Sequence, residues 1–335
     1  MGLKLKRLAD QVLVITGASS GIGLTTAELA AERGARVVMN ARSHEEIAAA
    51  CERIRAAGGR ATFYAGDVAN PDAMEALAAT AVREYGGFDT WVNNAGVSIY
   101  GRLADVPLAD KRRLFDVNFW GVVHGCRAAV RHLRERGGAI INIGSEVSDR
   151  AVPLQGIYSA SKHAVKAYTD ALRMELEEER APVSVTLVKP GATNTMFIDH
   201  ARTFMDKDPE LPSPLYAPEE VAHAILKSAE RPMRDVTVGG MTKMNAMIGV
   251  LAPRTTDYYM EKKFFAAQQK DYWTGRPDAL YEPTQDGSRR GSTESHEMQR
   301  ATLTRVMLSD AGRVLPFVAL GGIVAATVAA IRKTG

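Results

Sequence analysis

The sequence predicts an α/β fold: a doubly wound parallel sheet in a three-layer α/β/α arrangement, followed by a C-terminal apolar helix. Three observations lead there. Short apolar runs alternate with Ala/Glu/Arg-rich segments of helical periodicity, the first apolar run enters a glycine-rich turn, and 18 uncharged residues stand near the end of the chain. Strand–helix alternation at this spacing calls for a parallel sheet covered on both faces, because each crossover lays a helix against the sheet.

The apolar runs Val12–Ile15, Arg36–Met39, Thr62–Ala65, Thr90–Val92, Ala139–Ile143 and Val183–Val188 are expected as strands, with a short seventh at Asp235–Val238. Between them Thr25–Arg33, Glu45–Ala57 and Ala73–Tyr85 carry helical spacing, and a further helix starts around Pro218–Glu219. Beyond the seventh strand the alternation stops. Met241, Met244, Met247/Ile248 and Leu251 form a helical stripe that reads as a packing face rather than a substrate lid, and Thr255–Gln269 is expected as an aromatic-rich helix. No repeat of the solenoid kind is present.

Composition is that of a globular protein: 335 residues, 46% hydrophobic and 24% charged. Net charge is +3, and the surplus belongs to Thr284–Gly335, with seven basic and four acidic residues; the preceding chain is neutral at 35 of each. A neutral body leaves no electrostatic footprint for nucleic acid. Cys51 and Cys126 make no disulfide framework and fit a reducing compartment. The apolar run after Lys4, Lys6 and Arg7 is too short for a secretory signal. Residues 8–275 are therefore expected as one globular domain and 276–312 as a flexible polar linker. Residues 313–333 are expected as a transmembrane helix, since Val314–Ile331 lacks any charge and spans roughly 27 Å as a helix. The alternative for that segment is a helix packed on the body. A tethered catalytic domain on the cytoplasmic side would favour a lipophilic substrate.

The turn after the first strand reads Thr16, Gly17, Ala18, Ser19, Ser20, Gly21, Ile22, Gly23. A strand–glycine turn–helix unit lets backbone approach a pyrophosphate and points helix N–H groups at it, which is the dinucleotide site of a Rossmann fold. At the end of the second strand, where an NAD site places a carboxylate for the ribose 2′-hydroxyl, the chain has Asn40, Ala41, Arg42 and Ser43. An arginine there suits a 2′-phosphate, so NADP(H) is favoured over NAD(H). Tyr158 and Lys162 stand at i and i+4, on one helix face. A phenol is a poor acid–base catalyst at neutral pH, and a nearby ammonium lowers its pKa. Alone, such a pair is commonly a surface contact; here Ser145 ends an apolar strand 13 residues earlier and Asn118 precedes both. The seven histidines form no metal-ligand pattern, so no metal is expected, and His163 falls on another helix face.

These motifs together resemble the short-chain dehydrogenase/reductase family in its single-domain form. The matching segments are Thr16–Gly23, Asp67-Val68, Asn93-Asn94-Ala95-Gly96, Asn118, Ser145, Tyr158–Lys162 and Pro190–Thr195, in family order over roughly residues 8–240. The resemblance implies a reversible hydride transfer between a nicotinamide and a carbonyl or alcohol carbon, with Tyr158 as proton donor. It implies that Lys162 tunes Tyr158 and holds the nicotinamide ribose, that Ser145 bonds the substrate oxygen, and that Asn118 holds a water linking Lys162 to solvent. Asp67, Val68, Asn94, Ala95 and Gly96 are implied to line the cofactor, with Pro190, Gly191, Thr193 and Thr195 beside the nicotinamide carboxamide. A homo-oligomer, dimer or tetramer, is implied in the same way. The chain departs from the pattern at Gly144, where a serine is frequent, at Thr193, where valine is usual, and by the charges Glu146, Asp149 and Arg150 near the substrate mouth. That mouth is expected from Ser98–Leu103, Glu146–Gln155 and Met196–Leu215. The rival readings are a non-catalytic NADP(H) sensor, which would not need Ser145, and a nucleotide-sugar epimerase or dehydratase, which would carry a larger C-terminal substrate domain.

Overall fold

The computed structural model describes residues 3–240, 249, 251–284, 287–291 and 297–309. Seven parallel strands, β1 Val12–Thr16, β2 Arg36–Ala41, β3 Arg60–Ala65, β4 Thr90–Asn93, β5 Gly138–Ile143, β6 Val183–Pro190 and β7 Asp235–Val238, form one sheet in the order β7-β6-β5-β4-β1-β2-β3. The order reverses between β1 and β4, and ligands of open α/β sheets bind at the carboxyl ends of the strands at such a switch point. All seven expected strands are present.

The all-apolar character of β1 follows from its neighbours. Leu13 and Ile15 belong to the core layer shared with α1 Gly21–Glu32 and α7 Pro218–Glu230. Val12 and Val14 belong to the opposite layer, with α3 Pro71–Tyr85, α5 Gly121–Arg136 and α6 Gly156–Glu178. Alternate residues face opposite sides of the pleat, so a strand buried on both faces shows no polar alternation. Helix starts carry their own signals. Ser43 Oγ accepts the Glu46 N–H at the head of α2 His44–Ala56, and Asn70 caps α3, which opens on Pro71. Helix α4 Leu108–Phe115 runs into α5 through a π-helical turn, Asp116–Trp120, that contains Asn118.

One polar ladder crosses the core. Trp91 Nε1 donates to Asn93 Oδ1 (2.7 Å), Asn93 Nδ2 to Asn142 Oδ1 (2.8 Å) and Asn142 Nδ2 to Thr169 Oγ1 (2.9 Å). It ties β4, β5 and α6 together in one register, since each buried amide needs its partner.

The C-terminal part departs from expectation. Residues 276–312 are predicted as a flexible linker, yet the described residues to 309 are packed. Leu280, Ala301 and Leu308 are buried, and α9 Thr302–Leu308 lies on α7 and β7. The two-residue strand Glu297–Met298 pairs with Leu215–Tyr216. Arg290 reaches Glu219 (2.9 Å) and Glu297 (3.0 Å), and Arg305 reaches the buried Glu220. The composition is polar, but its arginines meet acids on the domain and a few apolar side chains seat the backbone. The segment 313–333 and most of the Met241–Leu251 stripe lie outside the described residues. Among the described residues no helix is long and apolar enough to cross a membrane. The aromatic-rich helix is found as α8 Pro253–Tyr259, continuing through a π-helical turn to Ala267.

Glu220 anchors this C-terminal run, since it also accepts the Ala301 N–H at 2.9 Å. Burial pushes its carboxyl pKa up, but the Arg305 and Ala301 bonds outweigh that and hold it below the usual range. A depressed carboxyl contributes stability above its unfolded pKa and loses it as pH falls through the folded pKa. Glu220→Ala is therefore expected to cost about 1–3 kcal/mol at neutral pH, as for a lost charged hydrogen bond. Thermal unfolding at pH 7 and in acid checks this: the gap to the unmodified chain should shrink at low pH.

Candidate active site

The cleft lies across the carboxyl ends of the strands at the switch point. Gly17, Ser19, Ser20, Gly21, Ile22, Arg42, Ser43, Asp67, Val68, Asn94, Ala95, Gly96, Ser145, Tyr158, Lys162, Pro190, Gly191, Thr193 and Thr195 all line it. Of the residues singled out in the sequence, Thr16, Gly23 and Asn118 stand behind the lining and brace it.

At the β1–α1 turn, Gly17 has φ +63°, and a Cβ there would stand 2.7 Å from Ala95 Cα. At Gly23 a Cβ would stand 2.1 Å from the Gly17 carbonyl oxygen. Asn94 Nδ2 donates to the Thr16 and Gly17 carbonyls, both at 3.0 Å, and Thr16 Oγ1 accepts the N–H groups of Asn94 (3.0 Å) and Ala95 (3.1 Å). The turn is thus clamped to the end of β4. Ser20 precedes α1 in extended conformation, and the Gly21 N–H donates to the Ser288 carbonyl at 2.9 Å. Arg42, just past β2, donates to the carbonyls of Ala279, Leu280 (3.4 Å) and Tyr281 (2.9 Å). Asp67 pairs with Arg113 and accepts the Ala69 N–H, while Val68 is buried beneath Gly121.

At the other end, β5 delivers Ser145 and α6 delivers Tyr158 and Lys162. Ser145 Oγ accepts the Val147 N–H (3.3 Å) and is hydrogen-bonded to the Tyr158 hydroxyl. Lys162 Nζ donates to the Ile143 carbonyl (2.9 Å) and stands 5.8 Å from the Tyr158 ring centroid. Burial pushes the Lys162 pKa down to about 8. Burial also pushes the Tyr158 phenol up; the Ser145 bond opposes this and Glu146 adds to it. The sequence reading expects Lys162 to lower the Tyr158 pKa; burial of the phenol instead raises it. Asn118 is held by three side-chain hydrogen bonds. Its Oδ1 accepts the Val97 N–H (2.8 Å) and its Nδ2 donates to the Val97 carbonyl (2.9 Å) and Ser161 Oγ (3.2 Å). Its side chain pins the Val97 backbone.

The substrate end of the cleft is largely apolar, with Val147, Val152, Phe197, Leu211, Pro212 and Phe264, plus Glu146, Gln155, His200 and Gln268. The expected loops Glu146–Gln155 and Met196–Leu215 supply most of these. Phe264 and Gln268 are not anticipated. Gln155 Nε2 donates to Gln268 Oε1 (2.7 Å) and Gln268 Nε2 to the Pro153 carbonyl (2.9 Å), which closes this wall. The only signal for it in the sequence is the aromatic-rich helix itself. Asp149 and Arg150 leave the mouth: Asp149 pairs with Lys166 (2.5 Å) and Lys189 (2.6 Å), and Arg150 with Asp257 of α8. Cys51 and Cys126 are free and buried, and among the described residues no three His, Cys, Asp or Glu gather as metal ligands.

Gly23→Ala tests the clamp. Overpacking against a backbone oxygen is expected to cost about 1–3 kcal/mol or more and to weaken dinucleotide binding sharply. Thermal unfolding and cofactor titration measure the two effects.

The sequence profile described as short chain dehydrogenase matches residues 11–205. An uncharacterized oxidoreductase of Bacillus subtilis, YxnA, is 45% identical over 308 residues, covering 90% of this chain and 86% of its own. A short chain dehydrogenase/reductase from Burkholderia phymatum, solved in complex with NAD, superposes with TM-score 0.64 at 25% identity, covering 82% of this chain and 100% of that one. An alcohol dehydrogenase of the archaeon Thermococcus sibiricus, solved with 5-hydroxy-NADP, superposes with TM-score 0.60 at 25% identity, over 68% and 95% of the two chains. With its motifs assembled around one cleft, the chain belongs to the short-chain dehydrogenase/reductase family and is an oxidoreductase of that family.

Proposed function

We propose that the chain interconverts a carbonyl compound and its alcohol with NADP(H), on a lipophilic substrate, and that Tyr158 gives the proton in the reductive direction. The observation that carries this reading is the wall of the cleft on which the Ser145 hydroxyl meets the Tyr158 phenol with the Lys162 ammonium behind the same ring. Binding a dinucleotide does not require that grouping; proton transfer to a carbonyl oxygen does.

The residues fit a nicotinamide dinucleotide. A side chain at Gly17 or Gly23 would meet backbone, α1 starts within that turn, and Thr193 and Thr195 border the cleft with Tyr158 and Lys162. When bound, the cofactor supplies or accepts the hydride. Tyr158, kept protonated by burial, donates to the carbonyl oxygen as it gains charge. Ser145 orients that oxygen, and the charge on Lys162 stabilises the phenolate left behind. Asn118 acts as a positioning residue by holding Val97. Arg42 is the group for the 2′-phosphate and underlies the preference for NADP(H). The apolar lining supports the lipophilic substrate. A C-terminal membrane tether holding the domain at the cytoplasmic face would suit it as well. That tether rests on Val314–Ile331, outside the described residues, and a carbonate wash of membranes carrying the full chain tests it. A homo-oligomer is part of the same reading, and sedimentation checks it.

Tyr158→Phe keeps the ring and removes the proton. It is expected to lower kcat by about 10²–10⁴-fold, with cofactor binding intact. NADPH oxidation with a panel of ketones and aldehydes measures it, and retention of a tenth of the activity would remove Tyr158 from this role.

The pH profile gives a separate check. Since Lys162 is held near pKa 8 while Tyr158 stays protonated well above that, reductive kcat/KM should fall above about pH 8. Lys162→Arg remains charged, so it should lose that limb while running at a lower plateau. An unchanged limb would assign it to another group.

A further inference from the structure

Two anion-seeking groups flank the adenosine end of the cleft, and one segment of the same chain answers both. The Arg42 guanidinium donates to the carbonyls of Ala279, Leu280 and Tyr281. The N–H of Gly21, at the start of α1, donates to the carbonyl of Ser288. These are the donors that a 2′-phosphate and a pyrophosphate would engage in the reading above, on which this inference rests. Backbone carbonyls stand in for phosphate oxygens at both.

The segment is seated firmly enough to compete. Leu280 is 1% exposed within the core, and its carbonyl also accepts from Arg113 Nε at 3.1 Å. The Ala279 N–H donates to the His200 carbonyl (2.9 Å), and the Tyr281 hydroxyl to Asp110 Oδ1 (2.9 Å). Around Ser288, Arg289 pairs with Glu28 on α1, and Arg290 with Glu219 on α7. Ala279, Pro283 and Thr284 face the cleft itself.

We propose that Ala279–Tyr281 and Ser288 are the two arms of an autoinhibitory strap that occupy the two phosphate subsites, and that the 2′-phosphate of NADP(H) is the group that frees Arg42 from it. An arginine bonds a phosphate dianion more strongly than it bonds neutral carbonyls, because the former bonds are charge-assisted and bidentate. NAD(H) lacks that phosphate. It displaces the Ser288 arm alone and leaves the Arg42 arm latched. The strap thus weakens cofactor binding by the fraction of time it is closed, and loosening the Arg42 arm tightens NADP(H) selectively.

Amide hydrogen exchange on the full chain reads the two arms separately, without ligand and with NADP+, NAD+, 2′,5′-ADP or 5′-AMP. NADP+ and 2′,5′-ADP should speed exchange at Ala279–Tyr281 about 10-fold or more, as local opening replaces a closed contact. NAD+ and 5′-AMP should leave those amides unchanged. Tyr281→Phe, which removes the bond to Asp110, should tighten NADP+ about five-fold, the worth of one hydrogen bond, with NAD+ unaffected. Slowed or unchanged exchange at Ala279–Tyr281 with NADP+ would overturn the proposal and make the strap a fixed wall. Arg42→Ala separates the two levels. If it leaves NADP+ binding as it was, the assignment of Arg42 to the 2′-phosphate fails. If it weakens NADP+ selectively while the strap of the unmodified chain never moves, the strap proposal alone fails.

Discussion

Everything at the cleft depends on how closely the β1–α1 turn crosses the end of β4. Gly17 lies so near Ala95 that a Cβ would overlap it, and the Asn94 amide donates to the Thr16 and Gly17 carbonyls. That crossing fixes where α1 begins and how its N–H groups are aimed. It also fixes the floor that joins the cofactor end to the catalytic end, since the chain continues from Asn94 through Gly96 to Val97. There Asn118 takes over, holding the Val97 N–H and carbonyl from the π-helical turn. Two asparagines therefore act in series as backbone clamps. A buried amide clamp of this kind is stiff because releasing it leaves unpaired polar groups out of water.

On that frame the electrostatics of the two ends differ. At the catalytic end burial dominates: Lys162 is desolvated toward its neutral form and Tyr158 toward its protonated form. Such shifts of buried titratable groups in a cleft mark candidate functional residues. At the adenosine end the positive groups are partnered, Arg113 with Asp67 and Arg42 with the carbonyls of the C-terminal segment. A charged ligand entering there meets occupied donors, whereas the other end presents a buried, protonated phenol.

The sheet was legible because its strands are local and buried on both faces: Val12–Ile15 could hardly be anything else after a glycine turn follows it. The residues proposed for catalysis are legible for the same reason, since Tyr158 and Lys162 share one helix face and Ser145 follows one strand. What escaped was set by long-range pairing. Arg289 finds Glu28 and Arg305 finds Glu220, acids far away in the chain, so a stretch of Ser, Thr and Arg that reads as linker becomes packed structure. Arg42 reads locally as a group for an anion, but its carbonyl partners more than 230 residues later leave no local trace. Phe264 and Gln268 reach the substrate wall only through the docking of a helix whose own pattern says no more than amphipathic. The side chain of Asn118 is spent on Val97, a detail of backbone approach that no spacing encodes.

In the proposed reaction hydride passes between a nicotinamide and a carbonyl carbon at the Tyr158 wall. Its most direct measurement follows deuterium from NADPH labelled at the reactive carbon of the nicotinamide into the products formed from a panel of lipophilic ketones. The expected result is NADPH-dependent turnover with deuterium on the carbinol carbon and solvent hydrogen on its oxygen. Turnover that leaves the label on the cofactor, or cofactor binding with no oxidation by any carbonyl offered, would contradict it.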